Sequence, residues 1–172
     1  IQPGHRVVDI GCGTGTMVLL IKRLYSQVEV TGLDPDPKAL ACANRKLQRA
    51  AVSAKLDQGI AEALPYEDAS FDHVLSSFMF HHLESDQKEQ ALREVRRVLK
   101  PGGSFHMLDF SKPESSGAGV VARWLHSSHH LAENTEGRIL GLMNQAGLEG
   151  ARVVRRGSMF FLHTAYYRAA AN

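Results

Sequence analysis

From Val7 to Gly15 the chain reads VVDIGCGTG, and this segment limits what can be built around it more than any other. An apolar run of β-type residues that stops on three alternating glycines cannot continue as a strand. Gly11, Gly13 and Gly15 let the backbone turn sharply at positive φ and lie against a ligand with no side chain between. Met17, Leu20, Ile21 and Leu24 then recur at helical spacing, so the region predicts a strand over Arg6 to Ile10, a tight loop and a helix.

The same alternation continues. Glu29 to Leu33 reads as a second strand, and Pro37 suits the first turn of a helix that carries Leu40, Ala43 and Leu47 on one face. Ala54 to Gln58 and Asp72 to Phe78 read as strands three and four, separated by the turn-rich stretch from Pro65 to Ser70. A helix is expected from Asp86 to Lys100, stopped by Pro101, Gly102 and Gly103, with strand five over Ser104 to Phe110. Serine and glycine dominate Ser111 to Gly119; a mixed segment around Trp124 and a short helix ending at Gly147 follow. Arg152 to Arg155 and Met159 to Arg168 close the chain as two β runs with a turn at Gly157. Strands alternating with helices predict a mainly parallel sheet covered on both faces, because parallel neighbours need helical crossovers. The last two runs are too close together for a crossover and should pair antiparallel at one edge.

With 172 residues, one domain over 1–172 is expected. Apolar residues make up 44% and charged residues 22%, which excludes a disordered or collagen-like chain. No run of 18 apolar residues and no signal peptide is present, and the two cysteines, Cys12 and Cys42, fall in a loop and a helix where a disulfide is a poor design. A cytoplasmic protein without a membrane span is therefore expected. The formal charge is only +2, with Arg and Lys spread over several segments, so a solvated surface accounts for them better than a nucleic-acid groove.

The glycine spacing is GxGxG rather than the GxGxxG of a dinucleotide site, since Thr16 stands where the third glycine would be. Asp34 ends the second strand nineteen residues after Gly15, where a carboxylate can accept both hydroxyls of an adenosine ribose. The competing role for Asp34 is a helix cap before Pro37.

VVDIGCGTG, GLDPDPKAL at 32–40, GIAEALPYEDASFDHVLSSFMFHHL at 59–83 and EVRRVLKPGG at 94–103 together resemble the class I S-adenosylmethionine-dependent methyltransferases. The ubiquinone/menaquinone-biosynthesis branch is the nearest. The resemblance covers nearly the whole chain. It implies an α/β, Rossmann-like, doubly wound sheet of seven strands in order 3-2-1-4-5-7-6, with strand seven antiparallel and helices on both faces. The usual helices ahead of strand one are missing from this sequence, which starts about five residues before that strand. S-adenosylmethionine is the implied cofactor, with S-adenosylhomocysteine its product, and a small molecule the implied acceptor, methylated on carbon, oxygen or nitrogen by in-line displacement. A homodimer is an admitted arrangement. The alternative is a cofactor-binding module or fragment without turnover of its own.

By the same resemblance the methionine part of the cofactor lies over Asp9, Gly11 and Gly13 beside Thr14. Asp34 holds the ribose, with Pro35 beside the adenine. Ile60 stands where the family usually has Asp or Asn for the adenine amino group, which leaves that contact to the Ala61 backbone and apolar packing. Ser77 matches a position near the sulfonium. His81 and His82 are candidate bases, although HHL after strand four recurs in members with different substrates, so a structural turn role competes. Trp124, Phe80 and Met79 are candidate apolar contacts for the acceptor within a loop after strand four and the segment Ser111 to Leu131. His126, His129 and His130 have no Cys or acidic partner to complete a metal site, and no metal is expected. Nucleic-acid amino-methyltransferases of this fold carry Asn or Asp, Pro, Pro and an aromatic after strand four; Ser76, Ser77, Phe78 and Met79 stand there instead.

Overall fold

The computed structural model describes residues 1–111, 134–159 and 162–172. Seven strands form one sheet: β1 (Arg6–Ile10), β2 (Glu29–Asp34), β3 (Lys55–Gln58), β4 (Phe71–Ser77), β5 (Leu99–Phe110), β6 (Leu148–Met159) and β7 (Leu162–Ala171). Their order is β3-β2-β1-β4-β5-β7-β6. The first five are mutually parallel, and β7 runs antiparallel to both β5 and β6. The expected topology is therefore present in full. Between β1 and β4 the strand order reverses, and the loops after these strands diverge to opposite sides, which opens a crevice at their carboxyl ends.

Helices α1 (Thr16–Leu24), α2 (Pro37–Arg49), α3 (Ser85–Val98) and α4 (Glu136–Gln145) flank the sheet. On one face Val7, Val18, Ile21, Val28, Val30 and Leu47 pack together; on the other Val8, Ile10, Val74, Leu92, Val95, Phe105, Met107 and Tyr167 do. Strand alternation makes this division, since Val7 and Val8 must face opposite ways. Local signals start the helices. Asp36 accepts from the Lys38 N–H at 2.8 Å ahead of Pro37, Glu84 and Gln87 form a reciprocal box at α3, and Thr135 caps α4.

Two expectations are corrected. The helix ending at Lys100 stops at Val98, and strand five begins at Leu99, not Ser104. Leu99 pairs with Phe71 and Ser104 with His73, so Pro101 and Gly102 are absorbed in a bulge, with Gly102 at φ 77°. Gly157 is not a turn: it pairs with Thr164 inside the ladder, and Met159 pairs with Leu162. A Cβ at Gly157 would stand 3.2 Å from Thr164 Oγ1, so the glycine there serves a close approach. Trp124, His126, His129 and His130, with most of the segment Ser111 to Leu131, lie outside the described residues. No described helix is long and apolar enough to cross a membrane.

Candidate cofactor site and its relatives

At the carboxyl ends of β1 and β2 the chain encloses a cavity of about 470 Å³. Gly11, Gly13, Asp34, Pro35, Ile60 and Ala61 all line it, so six of the nine expected cofactor residues come together across three separate loops. Gly11, Gly13 and Gly15 have φ of 71°, 52° and 73°, the left-handed region that favours glycine. The open space differs between them: a Cβ at Gly13 would meet nothing within 4 Å, whereas one at Gly11 would collide with Met79 Cγ at 2.3 Å.

Asp34 does not cap α2; Asp36 does. The Asp34 carboxylate instead accepts from the Gly13 N–H at Oδ2 (2.8 Å) and from the Asp36 N–H at Oδ1 (2.9 Å). Strand β2 and the loop after β1 are thereby fixed to one another before any ligand arrives. Asp9 lies on β1 just before the loop, 2% exposed, and its Oδ1 has no hydrogen-bond partner. Burial, and then the neighbouring Asp34 charge, push its carboxyl up to about 7. Burial together with the Asp9 and Asp34 charges pushes the Cys12 thiol up to about 12.

Three expected residues are placed elsewhere. Asp9 is not part of the cavity wall. The Thr14 hydroxyl accepts from Lys46 Nζ at 3.0 Å on α2, as Thr16 does at 2.7 Å. Ser77 lines a second cavity, of about 590 Å³, on the sheet face that carries His73, Leu75, His106, Leu108 and Tyr166. Ile60 is half exposed at the cavity mouth. Of the acceptor candidates, Met79 lines the cavity, but Phe80 is buried among Ala91, Leu92 and Val95, where a short turn after β4 makes it a core residue. Of the two histidines, His82 lines the cavity and His81 does not; His81 Nδ1 instead donates to Asp109 Oδ1 at 2.7 Å.

Gly59, Glu62, Phe78 and Leu83 also line the cavity and were not read from the sequence. Phe78 had a signal: it follows β4, opposite the glycine loop, where a parallel sheet places its ligand-facing turns. It sits at φ 53°, an uncommon conformation for an aromatic residue.

A family model described as a methyltransferase domain matches residues 7–103, more than half of the chain. The chain belongs to the methyltransferase domain family. A demethylmenaquinone methyltransferase of Deinococcus radiodurans is 39% identical over 127 residues, 74% of this chain and 52% of that protein. The ubiquinone/menaquinone biosynthesis C-methyltransferase UbiE of Pasteurella multocida is 38% identical over 116 residues, 66% of this chain and 42% of that protein. The chain thus spans about half the length of the curated relatives it matches. The crystal structure of YcgJ from Bacillus subtilis superposes with a TM-score of 0.81 at 20% identity, covering 99% of this chain and 93% of that one. That likeness shows a shared fold, and the sequence relatives agree with the ubiquinone/menaquinone branch read from the motifs.

Proposed function

We propose that the chain binds S-adenosylmethionine in the cavity at the ends of β1 and β2 and passes its methyl group to a small-molecule acceptor, a reduced quinone methylated on a ring carbon. The observation that carries the reading is the convergence of Gly11, Gly13, Asp34, Pro35, Ile60 and Ala61 from three loops on one cavity, with the Asp9 carboxylate oxygen buried and unpaired on the strand just before the glycine loop. A buried oxygen without a donor is costly, and the cationic methionine end of a cofactor seated on this loop would bring a positive charge close to it. The residues fit the rest of it as well: Gly13 leaves open space for close backbone approach, Asp34 presents a pre-set acceptor for the ribose, and Ile60, Ala61 and Leu33 offer an apolar wall for adenine.

When bound, the cofactor supplies a methyl group on a sulfonium, activated for displacement. The chain's own residues align the reactants and exclude water. Orientation of this kind supplies roughly 7 to 11 kcal/mol of a two-reactant barrier, so a site with few polar side chains is sufficient. Phe78, Met79 and Leu83 form the apolar side of the cavity, suited to a flat acceptor ring. The names of the two relatives support a quinone and attack on carbon.

Isothermal calorimetry with S-adenosylmethionine tests the first half: saturable binding is expected, and no heat of binding overturns the reading. Labelled cofactor incubated with quinols, phenols and amines, followed by detection of S-adenosylhomocysteine, tests the second. Methylation of a quinol ring is the expected result. Tight cofactor binding with no methylated acceptor would favour a binding module without turnover.

A further inference from the structure

Charge is divided unevenly over the surface. The whole chain has 20 Lys and Arg against 18 Asp and Glu, yet α1 and α2 hold Lys22, Arg23, Lys38, Arg45, Lys46 and Arg49 and no acidic residue. Arg23 from α1 and Arg45, Lys46 and Arg49 from α2 line one groove of about 530 Å³ between the two helices. Among the described residues none of these four meets a carboxylate. Lys46 donates to the hydroxyls of Thr14 and Thr16, and Arg45 to Cys42 Sγ at 3.1 Å. Arg45 and Arg49, four residues apart and both exposed, repel one another.

Helix α1 also turns apolar side chains outward. Leu20 is 47% and Leu24 66% exposed, and Tyr25 at the end of the helix is exposed as well. The leucines form one stripe at helical spacing, and Arg23, three residues from Leu20, borders it. The apolar stripe therefore adjoins the cationic groove. On its other side lies the second cavity, which Leu20 and Leu24 line together with the exposed Arg155 of β6 and Arg168 of β7. No Asp or Glu lines either concavity.

Helix dipoles account for part of this pattern, since they favour the last-turn cations Lys22, Arg23, Lys46 and Arg49. They do not account for Lys38, Arg45 or the two strand arginines. A single exposed leucine calls for no explanation, but a stripe of two leucines and a tyrosine rimmed by cations does.

We propose that the outer face of α1 and α2 docks on an anionic lipid surface, Leu20, Leu24 and Tyr25 entering the headgroup boundary while Arg23, Arg45 and Arg49 pair with lipid phosphates. A leucine stripe flanked by Lys and Arg is the pattern of a helix that lies in the interface rather than across the bilayer. An anionic leaflet attracts each cation close to it, raising partitioning about fivefold per charge. Nucleic acid is the poorer match: single strands are gripped by aromatic platforms set among cations, and this stripe offers leucines with one tyrosine. The proposal uses none of the cofactor-cavity residues and stands or falls apart from the reading of that cavity.

Vesicle co-sedimentation tests it. Phosphatidylcholine vesicles with about 30% phosphatidylglycerol should retain the protein at low salt and release it as salt rises, whereas pure phosphatidylcholine should not retain it. Arg45→Gln with Arg49→Gln should lower partitioning at least about tenfold, and Leu20→Ser with Leu24→Ser should lower it as well. All four positions are exposed, so both double variants should keep the wild-type circular dichroism spectrum. No retention on the anionic vesicles, equal retention on neutral ones, or retention unchanged in either double variant overturns the proposal. Tighter binding to single-stranded RNA, undisturbed by the leucine substitutions, also overturns it and makes the face a nucleic-acid surface.

Discussion

The Asp34 carboxylate and the Gly13 N–H are 2.8 Å apart, so the acidic residue assigned to the ribose also anchors the loop it faces. Asp34→Ala should therefore act twice, removing a ligand acceptor and freeing the loop. Affinity for S-adenosylmethionine is expected to fall at least about tenfold, or about 1.4 kcal/mol. Titration calorimetry on the variant measures this, and an unchanged isotherm would remove the ribose assignment.

If the proposed site is correct, Asp9 should tie cofactor binding to pH. Its folded-state carboxyl lies at about 7 against an ordinary 3.8, so the folded protein keeps a proton that the unfolded chain releases. That contribution to stability is complete below about 4 and is lost as pH rises through about 7. Asp9→Asn removes the loss, so at pH 8 the ligand-free variant should melt higher than wild type. The same substitution should weaken cofactor binding. In the wild type, affinity should rise as pH climbs toward 7 and level off above it, because a cationic ligand pairs with the ionised form. Paired melting and binding curves at pH 6 and 8 provide the check; a destabilised variant with normal affinity contradicts it.

The second cavity carries a continuous chain of polar contacts. His5 Nδ1 lies 2.9 Å from His73 Nε2, His73 Nδ1 2.7 Å from Ser104 Oγ, that hydroxyl 2.8 Å from His106 Nε2, and His106 Nδ1 2.6 Å from the Tyr166 hydroxyl. Burial lowers both His73 and His106 to about 4, helped by the His5 charge for the first and by His73 and Arg168 for the second. Their folded-state values lie below the ordinary 6.5, so the unfolded chain takes up protons first. The stability they contribute is present above about 6.5 and declines as pH falls toward 4. Urea midpoints of His106→Gln should drop less than wild type between pH 7.5 and 5. Asp9 acts oppositely over part of that range but equally in both proteins; identical slopes would exclude the histidine origin.

Two glycines of one loop should respond differently to alanine. Gly11→Ala drives a Cβ into Met79 and strains a φ of 71°, whereas Gly13→Ala meets only the backbone strain, at φ 52°. Left-handed backbone costs an alanine on the order of 1 to 2 kcal/mol. Gly13→Ala should lose about that much stability and Gly11→Ala clearly more, while both weaken cofactor binding. Thermal melts rank the two, and Met79→Ala should recover part of the Gly11→Ala loss. Equal melting temperatures for the two single variants would argue against the Met79 collision.

The parts of this molecule legible in the sequence are those fixed by short-range rules. Alternating apolar runs and glycine punctuation gave β1 to β4 and α1 to α3 nearly to their ends, and residues adjacent to a strand tip, Gly11, Gly13, Asp34 and Pro35, were found where the loop reading put them. Side-chain direction was harder to read. Thr14 turns to Lys46 because α2 packs beside the loop, and Ser77 faces the other side of the sheet because alternation along β4 sends it there with His73 and Leu75. Asp109 gave no local sign at all: its meaning arises only where β5 lies beside β4 and brings it to His81. Gly157 misled for the opposite reason, since a glycine that admits a neighbouring hydroxyl and one that makes a turn look alike in one dimension.

Cys12 lies within the glycine loop, buried, with its thiol pushed up to about 12, and only the thiolate reacts with electrophiles. Cys42, on α2, is half-buried and does not line the cofactor cavity. A maleimide dye added to the unmodified protein at neutral pH will accordingly settle on a single position, a fluorescent reporter of the glycine loop already placed by the native sequence and clear of the space it watches.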